Sequence, residues 1–201
     1  MNKKKLLIGI TGGIGAGKSY VSDYIESKGY PVLRADDIAK SLLTSDPVVK
    51  KKIISKFGEE AYINNKPNTI YLANTVFNNS NKLEEINSIV HPPTLTKIEQ
   101  EAVKLFKKFS LVFVESALIY EANFSDMFSY VVLIYTNKEE RIKRVTSKNK
   151  MDVKQVKQRM KFQIPDEQKK KKADFVIENN STLEELRLKV DMLLNIIKSL
   201  Q

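Results

Sequence analysis

A glycine-rich segment near the start of the chain has the residue types and the spacing of a phosphate-binding loop. It runs Gly12, Gly13, Ile14, Gly15, Ala16, Gly17, Lys18 and Ser19. This order fits G-x-x-x-x-G-K-[ST], in which glycines let the backbone N–H groups wrap a polyphosphate. Lys18 can contact the outer phosphates as a point charge, and the Ser19 hydroxyl can bind Mg²⁺. The segment therefore predicts nucleotide binding, with Lys18 as a catalytic residue and Ser19 as the metal ligand.

The flanking sequence supplies the elements that such a loop needs. An apolar run, residues 6–10, precedes the glycines, and residues 21–25 follow with helical spacing of their apolar side chains. Strand, glycine loop and helix is the context in which a helix N-terminus adds partial positive charge at the phosphates. A strand-to-helix turn that binds nothing would not require the lysine and the serine in register. Tyr20 follows Ser19 directly, and we include it in the predicted ATP-binding segment.

Length and composition restrict the class of protein. With 201 residues and 42% hydrophobic residues, the chain can fold around one sizeable core with a small appendage. It contains no cysteine, which excludes a disulfide scaffold, cysteine-ligated zinc, iron–sulfur clusters and cysteine nucleophiles. The apolar run after the basic residues 3–5 is interrupted at Gly9, which favours a first strand over a signal peptide. No apolar run reaches membrane-spanning length, so we expect a cytoplasmic protein without a membrane partner.

The net charge of +10 raises the alternative of a nucleic-acid-binding protein. The lysines, however, are spread through helical stretches such as residues 50–52 and 104–108, and aromatic residues are not interleaved with them as a base-stacking surface requires. Solvated helix faces, together with a site that gathers anionic phosphates, explain this charge better. We therefore expect no nucleic-acid partner, and steeply salt-dependent binding of an oligonucleotide would favour the alternative.

Five short apolar runs rich in β-forming residues are separated by helical patterns. They are Leu6–Thr11, Pro31–Leu33, Leu111–Val114, Tyr130–Tyr135 and Phe175–Ile177. The runs are too continuous for strands with one solvated face, so they indicate a parallel sheet covered by helices on both sides. We predict an α/β fold, a P-loop NTPase core of five parallel strands flanked by helices, whose ligand lies at the carboxyl ends of the strands.

Two insertions are expected in this core. Residues 38–108 contain no convincing strand, and prolines punctuate their helical patterns, which predicts a helical domain that binds the acceptor substrate. Residues 141–172 are strongly charged and have the size of a small, mobile lid. The nucleotide-binding core then comprises residues 1–37, 109–140 and 173–201.

A phosphate loop alone does not distinguish a GTPase, a motor and a kinase. Residues 137–140, NKEE, follow a strand but lack the aspartate of a guanine-specificity motif, and the chain has no D-x-x-G. The chain is also short for a motor ATPase, which leaves a small-molecule kinase. Such a kinase needs a carboxylate at the acceptor hydroxyl, and Asp36, after the second predicted strand, is the candidate. The pair Asp36 and Asp37 fits a helix N-cap equally well, so both roles stay open.

The phosphate loop and two further segments carry a specific resemblance. Residues 10–19, ITGGIGAGKS, are similar to the first motif of dephospho-coenzyme A kinases, T-G-G-I-G-[SA]-G-K-S. Residues 35–39, ADDIA, resemble the D-A-D-x-[IL]-A segment of that family. Residues 90–92, VHP, resemble its H-P motif in the helical substrate domain.

The second half of the chain contains three further segments that resemble motifs of this family. Residues 115–121, ESALIYE, resemble D-[VI]-P-L-L-[FL]-E after the third strand. The lid resembles R-x-x-x-Q-x-x-x-E-x-K at Arg159, Gln163, Glu167 and Lys169. Residues 173–179, ADFVIEN, resemble A-D-x-V-I-x-N. The motifs occur in the right order and span nearly the whole chain.

This resemblance implies ATP-dependent phosphorylation of the ribose 3′-hydroxyl of dephospho-coenzyme A, the last step of coenzyme A synthesis, with Mg²⁺ as cofactor. Asp36 would accept or orient the hydroxyl proton. An aspartate with an ordinary pKa of about 3.9 is a weak base, which favours orientation. In addition to the phosphate loop, Arg144 and Asn179 would bind ATP. The acceptor would contact Asp36, His91, Leu118, Glu121 and Arg159.

The chain also departs from the family pattern. Arg34 stands where the family usually has the first aspartate of D-A-D, and Glu115 replaces another aspartate. Glu115 fits a carboxylate beside metal-bound water and a strand-end ion pair equally well, and His91 fits a helix-ending hydrogen bond as well as a substrate contact. The positive charge expected in the lid would come from Arg141, Arg144 or Arg159.

A nucleoside or nucleotide kinase remains the alternative function, and we expect a monomer or a weak homo-oligomer.

Overall fold

The computed structural model describes residues 3–76, 79–149 and 151–201. Its contacts divide the chain into two compact units, Met1–Arg34 with Glu101–Gln201, and Ala35–Gln100, which we describe one at a time. None of the helices in these described ranges is long and apolar enough to cross a lipid bilayer.

The described residues form seven strands and nine α-helices. The strands are β1 (Leu6–Thr11), β2 (Val32–Arg34), β3 (Tyr62–Ile63), β4 (Lys66–Pro67), β5 (Leu111–Glu115), β6 (Tyr130–Tyr135) and β7 (Phe175–Glu178). The helices are α1 (Lys18–Ser27), α2 (Ala35–Ser45), α3 (Pro47–Phe57), α4 (Thr69–Val76), α5 (Ser80–Leu105), α6 (Lys138–Asn149), α7 (Val153–Met160), α8 (Asp166–Lys170) and α9 (Leu183–Ser199). Short 3₁₀ turns lie at Glu59–Ala61 and Ser125–Met127.

The first unit is built around a five-stranded sheet in the order β2-β5-β1-β6-β7. Every neighbouring pair of strands is parallel, which confirms the predicted α/β core. Ile8 of β1 and Phe113 of β5 are paired in register, and neither exposes any surface. Helices α1 and α9 contribute Ile25 and Leu193 to the same hydrophobic cluster. The strands are apolar except near their carboxyl ends, where Arg34, Glu115 and Glu178 lie, because helices flank the sheet.

The segment that we predict to be a lid, residues 141–172, contains most of α6 together with α7 and α8. It belongs to the first unit. Helix α7 begins with a capping box, because the Asp152 side chain accepts from the Gln155 N–H at 2.7 Å and the Gln155 side chain accepts from the Asp152 N–H at 3.1 Å. Local contacts therefore fix the start of α7, while the function of the segment as a lid stays a prediction.

The second unit contains a hairpin that sequence analysis missed. Strands β3 and β4 pair antiparallel, so the prediction that residues 38–108 contain no strand is wrong. The turn residues Asn64 and Asn65 both have positive φ, 49° and 63°. Asparagine tolerates this conformation, and a two-residue turn with positive φ at both positions matches the twist of hairpin strands. The unit has its own hydrophobic cluster, in which Ile53 of α3 packs with Leu72 of α4.

Helix α5 continues through two prolines. Pro92 and Pro93 lie inside this 26-residue helix, although each lacks the N–H that a helix interior uses. About three turns lie on either side of them, so the loss of two backbone hydrogen bonds does not end the helix. Thr94 is buried next to the prolines, and its hydroxyl donates to the Val90 carbonyl at 2.7 Å. The alternative of a helix-ending hydrogen bond at His91 is therefore wrong.

Burial of the central strand should dominate the stability of the first unit. Replacing the fully buried Ile8 by alanine should lower the free energy of unfolding by about 2–5 kcal/mol, because the removed methyl groups leave a cavity. The matched change Ile196→Ala, on a side chain that is 46% exposed, should alter it by less than about 0.5 kcal/mol. Urea denaturation of both variants measures the difference, and equal losses would contradict this description of the core.

The titration of His91 can be followed directly because it is the only histidine of the chain. Burial lowers the pKa of its imidazole below the ordinary value of 6.5. We therefore expect its ring-proton NMR signals to titrate with a midpoint below 6.5 in the folded protein. The unfolded chain takes up this proton first, so the stability contribution of His91 is unaffected above about pH 6.5 and falls as the pH drops below it.

The urea-unfolded protein is the reference for this titration, and its histidine should titrate near the ordinary value of 6.5. A folded midpoint equal to that of the unfolded chain, or higher, would mean that the α5 environment does not disfavour the imidazolium.

Candidate functional site

The phosphate loop joins β1 to α1 through a backbone that glycine adopts readily and other residues do not. Gly15 and Gly17 have φ values of 81° and 98°. A Cβ atom on Gly17 would lie 2.4 Å from Nδ2 of Asn179, so a larger residue is excluded by sterics as well as by strain. Helix α1 starts directly after Gly17 without a side-chain cap. Its first N–H groups therefore suit an anion.

Two polar side chains hold the loop from the ends of neighbouring strands. The Thr136 hydroxyl donates to the Ala16 carbonyl at 3.0 Å, and Asn179 Nδ2 donates to the same carbonyl at 2.9 Å. Both residues are buried, and Thr136 Oγ1 also lies 3.1 Å from the Asn179 carbonyl oxygen. The structure thus places Asn179, a predicted ATP-binding residue, as a support of the loop. Sequence analysis missed Thr136, although it is the first residue after β6, at the carboxyl end of a strand.

Lys18 and Ser19 are the first two residues of α1. Lys18 Nζ donates to the carbonyl oxygens of Gly12 and Gly13 at 2.9 and 3.4 Å, so the ammonium group lies over the loop. The Ser19 hydroxyl donates to Oε1 of Glu115 at 3.0 Å. A hydroxyl and a carboxylate are oxygen donors of the kind that Mg²⁺ prefers. Among the described residues, no group of three or more histidine, cysteine or acidic side chains could hold a metal by itself.

Arg34, at the end of β2, lies next to Glu115. It pairs in register with Glu115, and its Nε lies 3.8 Å from Oε2 of Glu115. Its Nη2 is closer to Asp23 and Glu26 of α1, at 2.6 and 2.7 Å. Hydrogen bonding to Glu26, followed by the charges of Glu26 and Asp23, raises the pKa of the Arg34 guanidinium above its ordinary value. The departure from the family pattern at position 34 is therefore an ion-paired cation next to Glu115.

The segment 141–172 brings three polar side chains to the phosphate loop. Oδ2 of Asp166 accepts from the Gly13 N–H at 3.3 Å and lies 3.2 Å from Nη1 of Arg141. Oε1 of Gln163 accepts from the Ile14 N–H at 2.9 Å. Of the three arginines considered for this role, the structure thus places Arg141 at the loop.

The surroundings of the other two arginines differ. Arg144 Nε is 3.1 Å from Oε1 of Glu140, and its Nη2 donates to the Asn179 carbonyl at 3.0 Å. Arg144 therefore contacts a residue that supports the loop rather than the loop itself. Arg159 is exposed on α7.

A cavity of about 340 Å³ opens beside this part of the loop. Its wall includes Thr136, Arg141, Lys157, Gln163 and Glu167. At one side the Tyr135 hydroxyl donates to Glu167, and this hydrogen bond raises the pKa of the phenol to about 12. The cavity thus combines cationic side chains with a mostly apolar wall at the carboxyl end of β6.

The predicted acceptor residues Glu121 and Leu118 follow β5. Oε1 of Glu121 lies 2.7 Å from Nζ of Lys169 and accepts from the Ile164 N–H at 2.8 Å. Lys169 is completely buried and also donates to the Ala117 carbonyl at 3.1 Å. Oε2 of Glu121 is buried without a hydrogen-bond partner among the described residues. Leu118 is half-buried in the same turn, so this group links the segment after β5 to α8.

Tyr20 packs against the hydrophobic cluster of the first unit. Its hydroxyl accepts from Nε of Arg187 at 2.7 Å. The phenol is thus engaged by α9, although it directly follows the phosphate loop in sequence.

In the second unit, Asp36 is exposed in the first turn of α2. The helix begins at Ala35, so neither Asp36 nor Asp37 precedes it as an N-cap, and that alternative is wrong. Asp37 lies 3.3 Å from Lys40, a surface pair. His91 lies in the middle of α5.

Known proteins resemble this chain over most of its length. A family model described as dephospho-CoA kinase matches residues 6–185. A dephospho-CoA kinase from Bacteroides fragilis is 35% identical over 173 residues, which make up 86% of this chain and 84% of the relative. Two solved structures, of a Thermus thermophilus protein and of a dephospho-CoA kinase from Campylobacter jejuni, have TM-scores of 0.82 and 0.72. Their identities are 31% and 29%, and each comparison covers 96% of this chain and at least 97% of the other.

The family match covers both units, and it agrees with the phosphate loop, the parallel sheet and the order of the motifs along the chain. The chain belongs to the dephospho-CoA kinase family, whose members use ATP in the final step of coenzyme A biosynthesis.

Proposed function

We propose that this protein transfers the γ-phosphoryl group of ATP to the ribose 3′-hydroxyl of dephospho-coenzyme A and that Mg²⁺ takes part. The observation that carries the proposal is the supported phosphate loop, with Lys18 over its carbonyl groups and Ser19 joined to Glu115. Family membership adds the identity of the acceptor.

The loop and its neighbours would bind the nucleotide. The N–H groups of residues 12–19 hold phosphate oxygens, and Lys18 exchanges its loop carbonyl contacts for the outer phosphates. Ser19 and Glu115 fit Mg²⁺, which proteins usually bind through one or two side-chain oxygens together with substrate phosphates. When bound, the ion neutralises charge on the transferred phosphoryl group. Arg144 and Asn179 act on the nucleotide through the loop support that they share.

The acceptor would be oriented by the predicted substrate residues. Asp36 accepts a hydrogen bond from the 3′-hydroxyl and orients its lone pair, because phosphoryl transfer depends on positioning more than on proton abstraction. Further contacts come from His91, Leu118, Glu121 and Arg159. In this proposal residues 38–108 form the acceptor domain, residues 141–172 form a lid that excludes water, and the remaining residues form the nucleotide-binding core. The protein acts in the cytoplasm as a monomer or weak homo-oligomer, without nucleic acid.

A product assay separates this proposal from a nucleoside or nucleotide kinase. The protein is incubated with ATP, Mg²⁺ and one of three acceptors: dephospho-coenzyme A, AMP or adenosine. We expect mass spectrometry to detect coenzyme A and no phosphorylated rival, because the acceptor site is proposed to recognise the precursor. Phosphorylation of AMP or adenosine instead would reject the acceptor and retain the kinase.

A matched pair of lysine variants tests the loop in the same assay. Lys18→Ala should lower turnover by about 10²–10³-fold, since it removes a cation that stabilises transferred charge. Lys107→Ala, at an exposed lysine of the same unit, should leave turnover unchanged. Equal turnover in the two variants would remove Lys18 from the mechanism.

The neighbouring aspartates allow an equally close comparison in the second unit. Asp36→Asn should lower kcat by about 10²–10⁴-fold while ATP affinity is retained, because only orientation of the acceptor hydroxyl is lost. Asp37→Asn removes a surface pair with Lys40 and should leave kcat unchanged. Steady-state kinetics with calorimetric ATP titration measures both quantities. Normal kcat in Asp36→Asn would reduce Asp36 to a helix-start residue.

A further inference from the structure

A carboxylate occupies hydrogen-bond donors of the phosphate loop. Asp166 is 5% exposed, and its Oδ2 is held between the Gly13 N–H at 3.3 Å and the Arg141 guanidinium at 3.2 Å. One residue along the loop, the Ile14 N–H donates to the Gln163 amide oxygen at 2.9 Å. Two side-chain oxygens from one short segment thus accept from two consecutive loop amides.

These donors are the groups that a bound polyphosphate would need. In the proposed function the loop N–H groups hold phosphate oxygens, and a carboxylate oxygen presents the same negative charge and the same acceptor lone pairs. One N–H directed at Asp166 cannot also be directed at a phosphate. A phosphate at this N–H would therefore have to replace Asp166.

The pair formed by Arg141 and Asp166 is buried but incompletely satisfied. Arg141 is 8% exposed, and a Cβ on Gly13 would lie only 1.7 Å from its Nη1, so the guanidinium lies directly against the loop backbone. Nε of Arg141 and Oδ1 of Asp166 are both buried without a hydrogen-bond partner among the described residues. Buried polar atoms without partners are costly, and phosphate oxygens at Arg141 would offer acceptors to the guanidinium.

We propose, on the basis of the function proposed above, that Arg141 is a nucleotide phosphate-binding residue and that Asp166 is an internal competitor of the phosphates for Arg141 and the Gly13 N–H. Binding of the triphosphate displaces the Asp166 carboxylate from both donors. Because Asp166 is the first residue of α8, its displacement connects the arrival of ATP to a movement of the segment 141–172. If Asp166 competes with the phosphates, its removal should strengthen nucleotide binding. If its ion pair with Arg141 is purely structural, its removal should weaken nucleotide binding, because the site would only become looser.

Nucleotide affinity distinguishes the two roles. Asp166→Asn keeps the size of the side chain and removes its charge, so ATP and inorganic tripolyphosphate should each bind about tenfold more tightly by calorimetry. The matched control is Glu178→Gln, in β7. It removes a carboxylate that lies 2.8 Å from Lys170, a residue of the same helix as Asp166, and among the described residues this carboxylate is paired with Lys170 and not with the loop. Its affinity should equal that of the wild type. Unchanged or weaker binding by Asp166→Asn would overturn the proposal.

A second substitution tests the contact between Arg141 and phosphate separately. In the Asp166→Asn background, adding Arg141→Gln should weaken tripolyphosphate binding about tenfold, since the competitor is already removed and only the phosphate contact is lost. Equal affinity of the single and double variants would show that Arg141 does not bind phosphate.

The wild type supplies a measurement that does not depend on a variant folding. A crystal structure with a non-hydrolysable ATP analogue should show Asp166 Oδ2 beyond hydrogen-bond distance from the Gly13 nitrogen and a phosphate oxygen on Arg141. An unbroken Asp166–Gly13 contact with the analogue on the loop would overturn the competitor role while leaving the kinase proposal intact. Absence of any ATP or tripolyphosphate binding to the wild type would overturn both.

Discussion

The site depends on one carbonyl group, that of Ala16. Gly15 and Gly17 have left-handed backbone conformations, so the loop lacks the regular backbone hydrogen bonds of a helix or a strand. Thr136 and Asn179 fix it by donating to the Ala16 oxygen at 3.0 and 2.9 Å. These two residues follow β6 and β7, whose parallel arrangement next to β1 brings their carboxyl ends to one edge of the sheet. The strand order of the fold is thus a condition for the shape of the phosphate loop.

The strands of the same sheet also position charged side chains next to the loop. Glu115 is paired in register with Ile10 of β1 and Arg34 of β2, so a carboxylate and a guanidinium meet beside Ser19. Arg34 makes its short contacts with Asp23 and Glu26 and lies 3.8 Å from Glu115. The Arg34 guanidinium is therefore paired mainly with α1, and the Glu115 carboxylate accepts from the Ser19 hydroxyl and offers oxygen ligands to a cation there.

The sequence predicted the elements whose signal is local. Continuous apolar runs located all five sheet strands, and the loop spacing located Lys18 and Ser19. The hairpin at Asn64-Asn65 was missed because its strands have two residues each and carry no measurable alternation. Prolines in a helical pattern predict an interruption, because proline has a local cost in a helix. In α5 the long flanking turns outweigh this cost, and the helix continues. The contacts of Thr136 and Asp166 with the loop join residues 120 and 153 positions apart, and no local pattern reports such a pairing.

Two of the ion pairs on helix α8 differ in character, although their residues lie one turn apart. Lys169 is completely buried and reaches two oxygens, those of Glu121 and the Ala117 carbonyl. Breaking such a pair leaves an uncompensated charge in the interior, at a cost of about 3–5 kcal/mol, so this contact fixes α8 to the segment after β5. The Asp166 carboxylate, in contrast, can leave Arg141 without uncovering a charge when a phosphate replaces it. The fold thus combines a permanent attachment at Lys169 with an exchangeable contact at Asp166, and the exchangeable one faces the phosphate loop.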